Sequence, residues 1–351
     1  MKVMAEIVEA EKMSKNELIE RIIYFIESGA DIIDLGISLD TPKEKVRKAV
    51  ETAKSITNIP LSIDTLDADS INTAVDAGID IVLSLNSKNL PYVSDNIVSN
   101  STAAVIIPDS TDDLEGLFKN MESARNSGIT KIIADPVLGP AGHGLSGSIH
   151  RYYEFRKRDI TTPLFFGAGN VTELIDADSI GINSILSGIA MELDASILFT
   201  PEFSHKAHDS VNELKTASIM MILSKDRKSA PKDLGVDMLH IKEKRRRQFG
   251  KMPDSYMEAE GSEKWYLDTA GCFKIELTDD EIHNGKLNKG KIVARNNNNA
   301  VAGSTAKDIL DTIIRRGLIS RIDHAAYLGR ELMKAEIALK FKRSYSQDDK
   351  F

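Results

Sequence analysis

The strongest constraint on this chain is the regular alternation of short apolar strands with amphipathic helices along most of its length. Residues 3–8, Val3-Met-Ala-Glu-Ile-Val8, read as a strand, an apolar and β-branched run without turn formers. Ser14 then opens a helix, and Glu17 three residues on completes a capping box. Leu18, Ile22, Ile23 and Ile26 recur at helical spacing until Gly29 stops the run. The unit then repeats. Strands end at Asp34, Asp64 and Asn86, a fifth covers 103–108, and a sixth ends at Asp135. A seventh covers 163–167 and an eighth 196–200, with a closing helix over 209–223. Eight βα units in about 225 residues match a TIM (β/α)8 barrel. The competing fold, an open doubly wound sheet, normally has fewer strands and a glycine-rich first turn. No G-x-G-x-x-G follows the first strand.

The 351 residues leave room for more than the barrel. The expected division is a barrel over 1–224, a charged connection over 225–260 and a smaller α+β domain over 261–351. The basic run Lys242-Glu-Lys-Arg-Arg-Arg-Gln reads as a solvated helix face, with an anionic ligand tail as the alternative. In the last domain, 272–277 and 291–295 read as a strand pair, 296–299 as a loop leading to a helix, and 320–342 as a long helix. Residues 346–351 are expected to fray. A net charge of −8 argues against a nucleic-acid binder. No apolar run approaches the roughly 18 residues of a membrane span. No signal peptide precedes the first strand, so a cytoplasmic location is expected. The single cysteine, Cys272, excludes an internal disulfide and a cysteine zinc cluster, and reads as a buried structural thiol.

Four strands stop on a polar residue: Asp34, Asp64, Asn86 and Asp135. In a parallel barrel these ends open onto one face, where the active site lies. Three carboxylates and an amide there form a socket for a planar heterocycle rich in N–H donors, and repel a phosphate. Asp34 has an equal alternative, a structural bond to neighbouring loops. The glycine-rich loop Gly139-Pro-Ala-Gly-His143 either closes over substrate or is a plain connection, with His143 exposed. Glu202, His205 and His208 follow the eighth strand, but their spacing fits no standard ligand pair, so no metal is expected. His324, beside Asp323 on a long helix, reads as a packing or subunit-interface residue.

The segments Gly29-Ala-Asp-Ile-Ile-Asp-Leu-Gly36, Ser62-Ile-Asp-Thr65 and Asp135-Pro-Val-Leu-Gly139 resemble the pterin-binding family, over about residues 1–223. That family contains dihydropteroate synthases and corrinoid-linked methyltransferases. The resemblance implies that Asp64, Asn86 and Asp135 hold the pterin, with Asp34, Gly167 and Asn170 completing the site. The chain departs from the synthases at their reaction-specific positions. It has Glu6-Ile-Val-Glu-Ala-Glu-Lys in place of N-V-T-P-D-S-F, and Gly36-Ile-Ser-Leu-Asp-Thr-Pro in place of a serine–threonine–arginine loop. Gly167-Ala-Gly-Asn170 stands where the synthases place a lysine, and Phe199-Thr-Pro-Glu-Phe where they place an arginine and a histidine. A departing diphosphate would lose its charge stabilisation.

Asn170 is similar to the asparagine that the methyltransferase branch places near pterin N5. The resemblance therefore implies catalytic roles for Asn170 and Asp135 in methyl transfer from a reduced pterin, tetrahydromethanopterin or tetrahydrofolate, to an acceptor. The chain has no D-x-H-x-x-G, so a corrinoid would arrive on a partner protein. Synthase-type condensation and non-catalytic pterin binding are the alternatives. The segment from Ser320 is similar to a domain attached to pterin-binding proteins of methanogenic archaea, which implies an archaeal protein and favours tetrahydromethanopterin. Related barrels pair through outer helices, which implies a homodimer.

Overall fold

The computed structural model of the chain describes residues 1–239, 253–261, 264, 266–283, 286–296 and 298–349. It divides into two compact units, Met1–Met238 and Leu239–Phe351. The basic run from Lys242 lies outside the described residues.

The first unit is the expected TIM barrel. Its strands are β1 (Lys2–Ile7), β2 (Ile32–Gly36), β3 (Leu61–Asp64), β4 (Ile81–Leu85), β5 (Ala103–Ile106), β6 (Ile132–Ala134), β7 (Phe165–Phe166) and β8 (Ile197–Thr200). All pair in parallel in the order β6-β5-β4-β3-β2-β1-β8-β7. A parallel bridge between Ala134 and Leu164, with Ala134 N donating to Pro163 O at 2.9 Å, joins the two ends. Around the strands lie α1 (Lys15–Glu27), α2 (Lys43–Ile56), α3 (Ala68–Asp76), α4 (Leu90–Asn100), α5 (Leu114–Asn126), α6 (Leu145–Arg158), α7 (Gly169–Thr172), α8 (Ser179–Glu192) and α9 (Ser210–Arg227). Helix α1 starts on the capping box read from the sequence: Ser14 Oγ accepts from Glu17 N, and Ser14 N donates to the Glu17 carboxylate.

Strand alternation builds two cores from one sheet. Val3, Ala5 and Ile7 face outward and pack with the helical stripe Leu18, Ile22 and Phe25. Each of those large side chains contributes about 1.5–3 kcal/mol on burial. Met4 faces the other way and joins Ile32, Leu83, Val105, Phe165 and Phe199 in a separate interior plug. The plug fills the barrel below the carboxy-terminal strand ends, so a ligand has access only to the mouth. Among the described residues no helix is long and apolar enough to cross a membrane.

In the second unit β9 (Lys274–Leu277), β12 (Ile292–Arg295) and β13 (Ala300–Gly303) form an antiparallel sheet in the order β13-β12-β9, and β10 (Glu281–His283) pairs with β11 (Lys286–Asn288). Helices α10 (Ala306–Arg315) and α11 (Ile322–Lys340) cover the three-stranded sheet. Phe273, Ile275, Ile309, Ile313, Leu328 and Leu332 form its core. Three expectations are corrected here. The loop at 296–299 closes a hairpin into β13 before the helix, with Asn296 N donating to Asn299 O. Cys272 is exposed, because the inward positions fall on Phe273 and Ile275. Residues 346–349 are tied down: Gln347 Oε1 accepts from Ile275 N at 2.8 Å and Tyr327 donates to Asp348.

Candidate functional site

Strand register sets the floor of the mouth. Glu6 on β1 is opposite Asp34 on β2, which is opposite Ser62 on β3, and Asp64 lies two residues further along, opposite Gly36. Glu6 is two residues after Met4 and therefore shares its inward face. One oxygen from each of Glu6, Asp34 and Asp64 lies within 4.8 Å of the other two. Gly36 makes the approach possible: a Cβ there would stand 2.5 Å from Glu6 Oε1. Burial raises the Glu6 carboxyl to about 8, helped by the charges of Asp64 and Glu173. Asp34, with no exposed surface, is pushed well above the usual carboxylate range by burial and then by Asp64 and Glu6. Asp64 is also raised by burial, against a hydrogen bond from Ser84.

The second strand runs on to Gly36, so Asp34 lies inside it and does not end it as expected. It nevertheless shares one arrangement with Asp64 and Asp135: a protein hydroxyl holds Oδ1. Ser62 donates to Asp34 Oδ1, Ser84 to Asp64 Oδ1 at 2.6 Å, and Tyr152 to Asp135 Oδ1 at 2.7 Å. Asp34 Oδ2 is buried without a hydrogen-bond partner. Ser84 reaches Asp64 from a register shift in β4, where its φ is 63°. Asp135 Oδ1 also accepts from Val137 N at 2.7 Å, which bends Val137 to a φ of 64°. A β-branched residue in that region costs on the order of 1–3 kcal/mol. Arg151 holds the bend by donating to the carbonyls of Pro136 and Val137. Burial lifts Asp135 to about 6, against the bonds from Tyr152 and Val137.

Asn86 is positioned by its own turn. Its backbone N donates to Asn89 Oδ1, its Oδ1 accepts from Lys88 N, and Asn89 Nδ2 ties the turn back to Ser84 O. Asn170, on the short α7, donates from Nδ2 to Leu138 O at 3.0 Å and so joins the β7 end to the segment after Asp135. Gly167 leaves it space: a Cβ there would meet Asn170 Nδ2 at 3.1 Å. The structure thus gathers Asp34 with Asp64, links Asn86 to Asp64 through Ser84, and joins Asn170 and Gly167 to the Asp135 segment.

Other candidates lie apart from this set. His143 is exposed, with Nδ1 2.7 Å from Gly142 O. Both Glu202 oxygens are engaged, accepting from Val211 N and Tyr24 Oη, so Glu202, His205 and His208 form no ligand cluster. His324 bonds Asp268 within the second unit. The residue that sequence reasoning left out is Glu6. Its signal was parity: Met4 and Glu6 alternate with the outward Val3, Ala5 and Ile7.

The profile described as pterin binding enzyme matches residues 7–170, and a second profile, PterinBD-DUF4346, matches 267–348. An uncharacterized protein of Methanocaldococcus jannaschii is 41% identical over 370 aligned residues, spanning 99% of this chain and 69% of that protein. The chain belongs to the pterin-binding enzyme family. This archaeal relative agrees with the archaeal character expected from the segment after Ser320. Among solved structures, the Yersinia pestis DHPS with a pterine-sulfa conjugate is similar at a TM-score of 0.53 and 18% identity, over 64% of this chain and 93% of that one. The Thermus thermophilus dihydropteroate synthase is similar at 0.52 and 15%, over 63% and 94%. At these identities the likeness is one of fold.

Proposed function

We propose that this pterin-binding protein is a transferase that takes a methyl group from a reduced methylated pterin, of the tetrahydromethanopterin or tetrahydrofolate type, to an acceptor such as a corrinoid on a partner protein. The observation that supports pterin binding is the trio of aspartates anchored through Oδ1. A side chain fixed by one oxygen presents the other in a set direction, and the aminopyrimidinone edge of a pterin offers N–H donors to match. Such a socket discriminates sharply, because a ligand without those donors leaves buried acceptors unpaired.

Methyl transfer breaks the N5–carbon bond as the acceptor–carbon bond forms. N5 keeps the bonding pair and needs a proton or a hydrogen-bond donor to leave easily. Asn170 and Asp135 are joined through the Asp135–Leu138 segment, and an acid raised to about 6 is suited to proton transfer near neutrality. Synthase-type condensation is less well served. Arg151 is committed to Pro136, Val137 and Asp112, and the floor offers a diphosphate carboxyl groups in place of cations.

The test is calorimetric titration of the full chain with methyl-tetrahydromethanopterin, methyl-tetrahydrofolate and 6-hydroxymethyl-dihydropterin diphosphate. Preference for a methylated reduced pterin supports the proposal, and preference for the diphosphate replaces it with the synthase reading. Asn170→Ala should reduce turnover far more than affinity. Retained turnover in that variant would remove Asn170 from the chemistry, and a change in affinity alone would favour a binding protein.

A further inference from the structure

We propose that the rim of the barrel mouth beside β7, β8, β2 and β3 is the docking face for the partner protein that brings the methyl acceptor, a partner whose contact surface is apolar and bordered by lysine and arginine. The inference rests on the methyl-transfer reading. Four large apolar side chains stand exposed on the mouth loops: Leu66 after β3, Leu39 after β2, Phe203 after β8 and Leu174 after α7, at 52, 63, 74 and 65%. Their strands form one arc, since the sheet runs β3-β2-β1-β8-β7. Among the described residues, the mouth loops over 86–89, 107–113 and 135–144 expose none. Single exposed apolar residues are ordinary, whereas a set on one side of one opening marks an interaction surface.

The anchors are held ready. Glu173, next to Leu174, accepts from Phe203 N at 2.7 Å and Ser204 N at 3.0 Å, and Lys206 pairs with Asp176 at 2.8 Å. These ties join the loops of Leu174 and Phe203. Thr41 Oγ1 donates to Ser38 O at 2.7 Å across the turn that carries Leu39, and Asp67, beside Leu66, accepts from Ser70 N at 2.8 Å. Apolar side chains on braced loops lose little freedom when a partner arrives, which suits them as anchors. Position and charge select the occupant. The interior plug closes the barrel below, so an acceptor reaches the pterin only through the mouth. Asp64, Asn86 and Asp135, proposed to hold the pyrimidinone, stand at the ends of β3, β4 and β6. The reacting edge of the pterin then turns towards the β7-β8-β1-β2 side, where the apolar arc stands. The lysines of these loops, Lys12 and Lys206, are already paired with Glu9 and Asp176, while Asp40, Asp67 and Asp178 make no ion pair among the described residues. That leaves an acidic border, which complements a basic one. A partner seated there leaves the β4–β6 side open for exchange of the pterin.

The experiment passes Methanocaldococcus jannaschii cell extract over the immobilised full chain and reads the protein-bound corrinoid retained, by its absorbance. Phe203→Asp and Leu174→Asp should each lower it at least about tenfold. Ile160→Asp, at a residue 76% exposed just beyond α6 at the other end of the barrel, should leave it unchanged. Circular dichroism checks that each variant is folded. Titration with methyl-tetrahydromethanopterin and turnover with free cob(I)alamin should be equal in all four proteins, since neither needs the rim. No corrinoid protein on the parent chain, or equal retention by the rim variants, overturns the proposal. So does a parent dimer that the rim variants abolish in sedimentation, which would give the face to a second copy. A parent chain that still binds the methylated pterin and methylates free cob(I)alamin then loses only the docking face. One that does neither loses the methyl-transfer reading as well.

Discussion

Asp34 in the barrel and Asp268 in the second unit both have side chains without exposed surface, and the protein treats them in opposite ways. Asp268 lies shallow but covered, at the amino end of α11. It accepts from the backbone N of Ala270, Ser320 and Arg321, from Ser320 Oγ and from His324 Nδ1. Burial alone would raise its carboxyl, but these donors hold it well below the usual range. Asp34 accepts one good bond, from Ser62, and faces two other carboxylates. A carboxylate that builds structure is saturated by its own chain. One left short of partners calls for an explanation the chain's own hydrogen bonds do not supply.

If that contrast is sound, neutralising the two residues must act with opposite signs. The largest effect is expected from Asp268→Ala, which strips the α11 terminus of its acceptor and orphans several donors. Urea unfolding of the second unit should shift further than for any barrel variant described here, and a parent-like midpoint would break the comparison. Asp34→Asn should do the reverse. At pH 8 it removes a carboxyl that the fold must either bury charged or hold protonated, and the denaturant midpoint should rise. A loss of stability there would mean that Asp34 is a structural residue after all.

Glu213 on α9 is the intermediate case and sharpens the scale. It accepts from Asn183 Nδ2 at 2.8 Å, yet burial still raises it to about 7. Its folded-state value exceeds the unfolded one, so the stability it contributes is complete below about 4.5 and lost as the pH climbs towards 7. Glu213→Gln should flatten that decline, a difference of roughly 2–3 kcal/mol between pH 5 and pH 8. Denaturant midpoints across that range decide it, and an unchanged slope would assign the decline to other groups.

The barrel was legible because strand and helix periods leave different marks, and because Asp64, Asn86 and Asp135 end apolar runs where a parallel barrel exposes its site. Glu6 was not, since it lies inside a strand and only parity with Met4 reveals its inward face. The hydroxyl anchors Ser62, Ser84 and Tyr152 were hidden for another reason. Each meets its aspartate only after non-local packing, Tyr152 from 17 residues away on a helix. In the second unit β13 escaped notice because Ala300-Val-Ala-Gly is short and follows an asparagine run that suggests a loop alone.

Gly36 carries a consequence for engineering. It bears no charge and makes no bond of its own in the mouth, yet the space it leaves is what admits the Glu6 carboxylate. A single added methyl at that position would force the Glu6 carboxylate to shift without altering any acidic residue. The electrical character of the mouth can therefore be edited from a neutral position while every acidic residue stays the same.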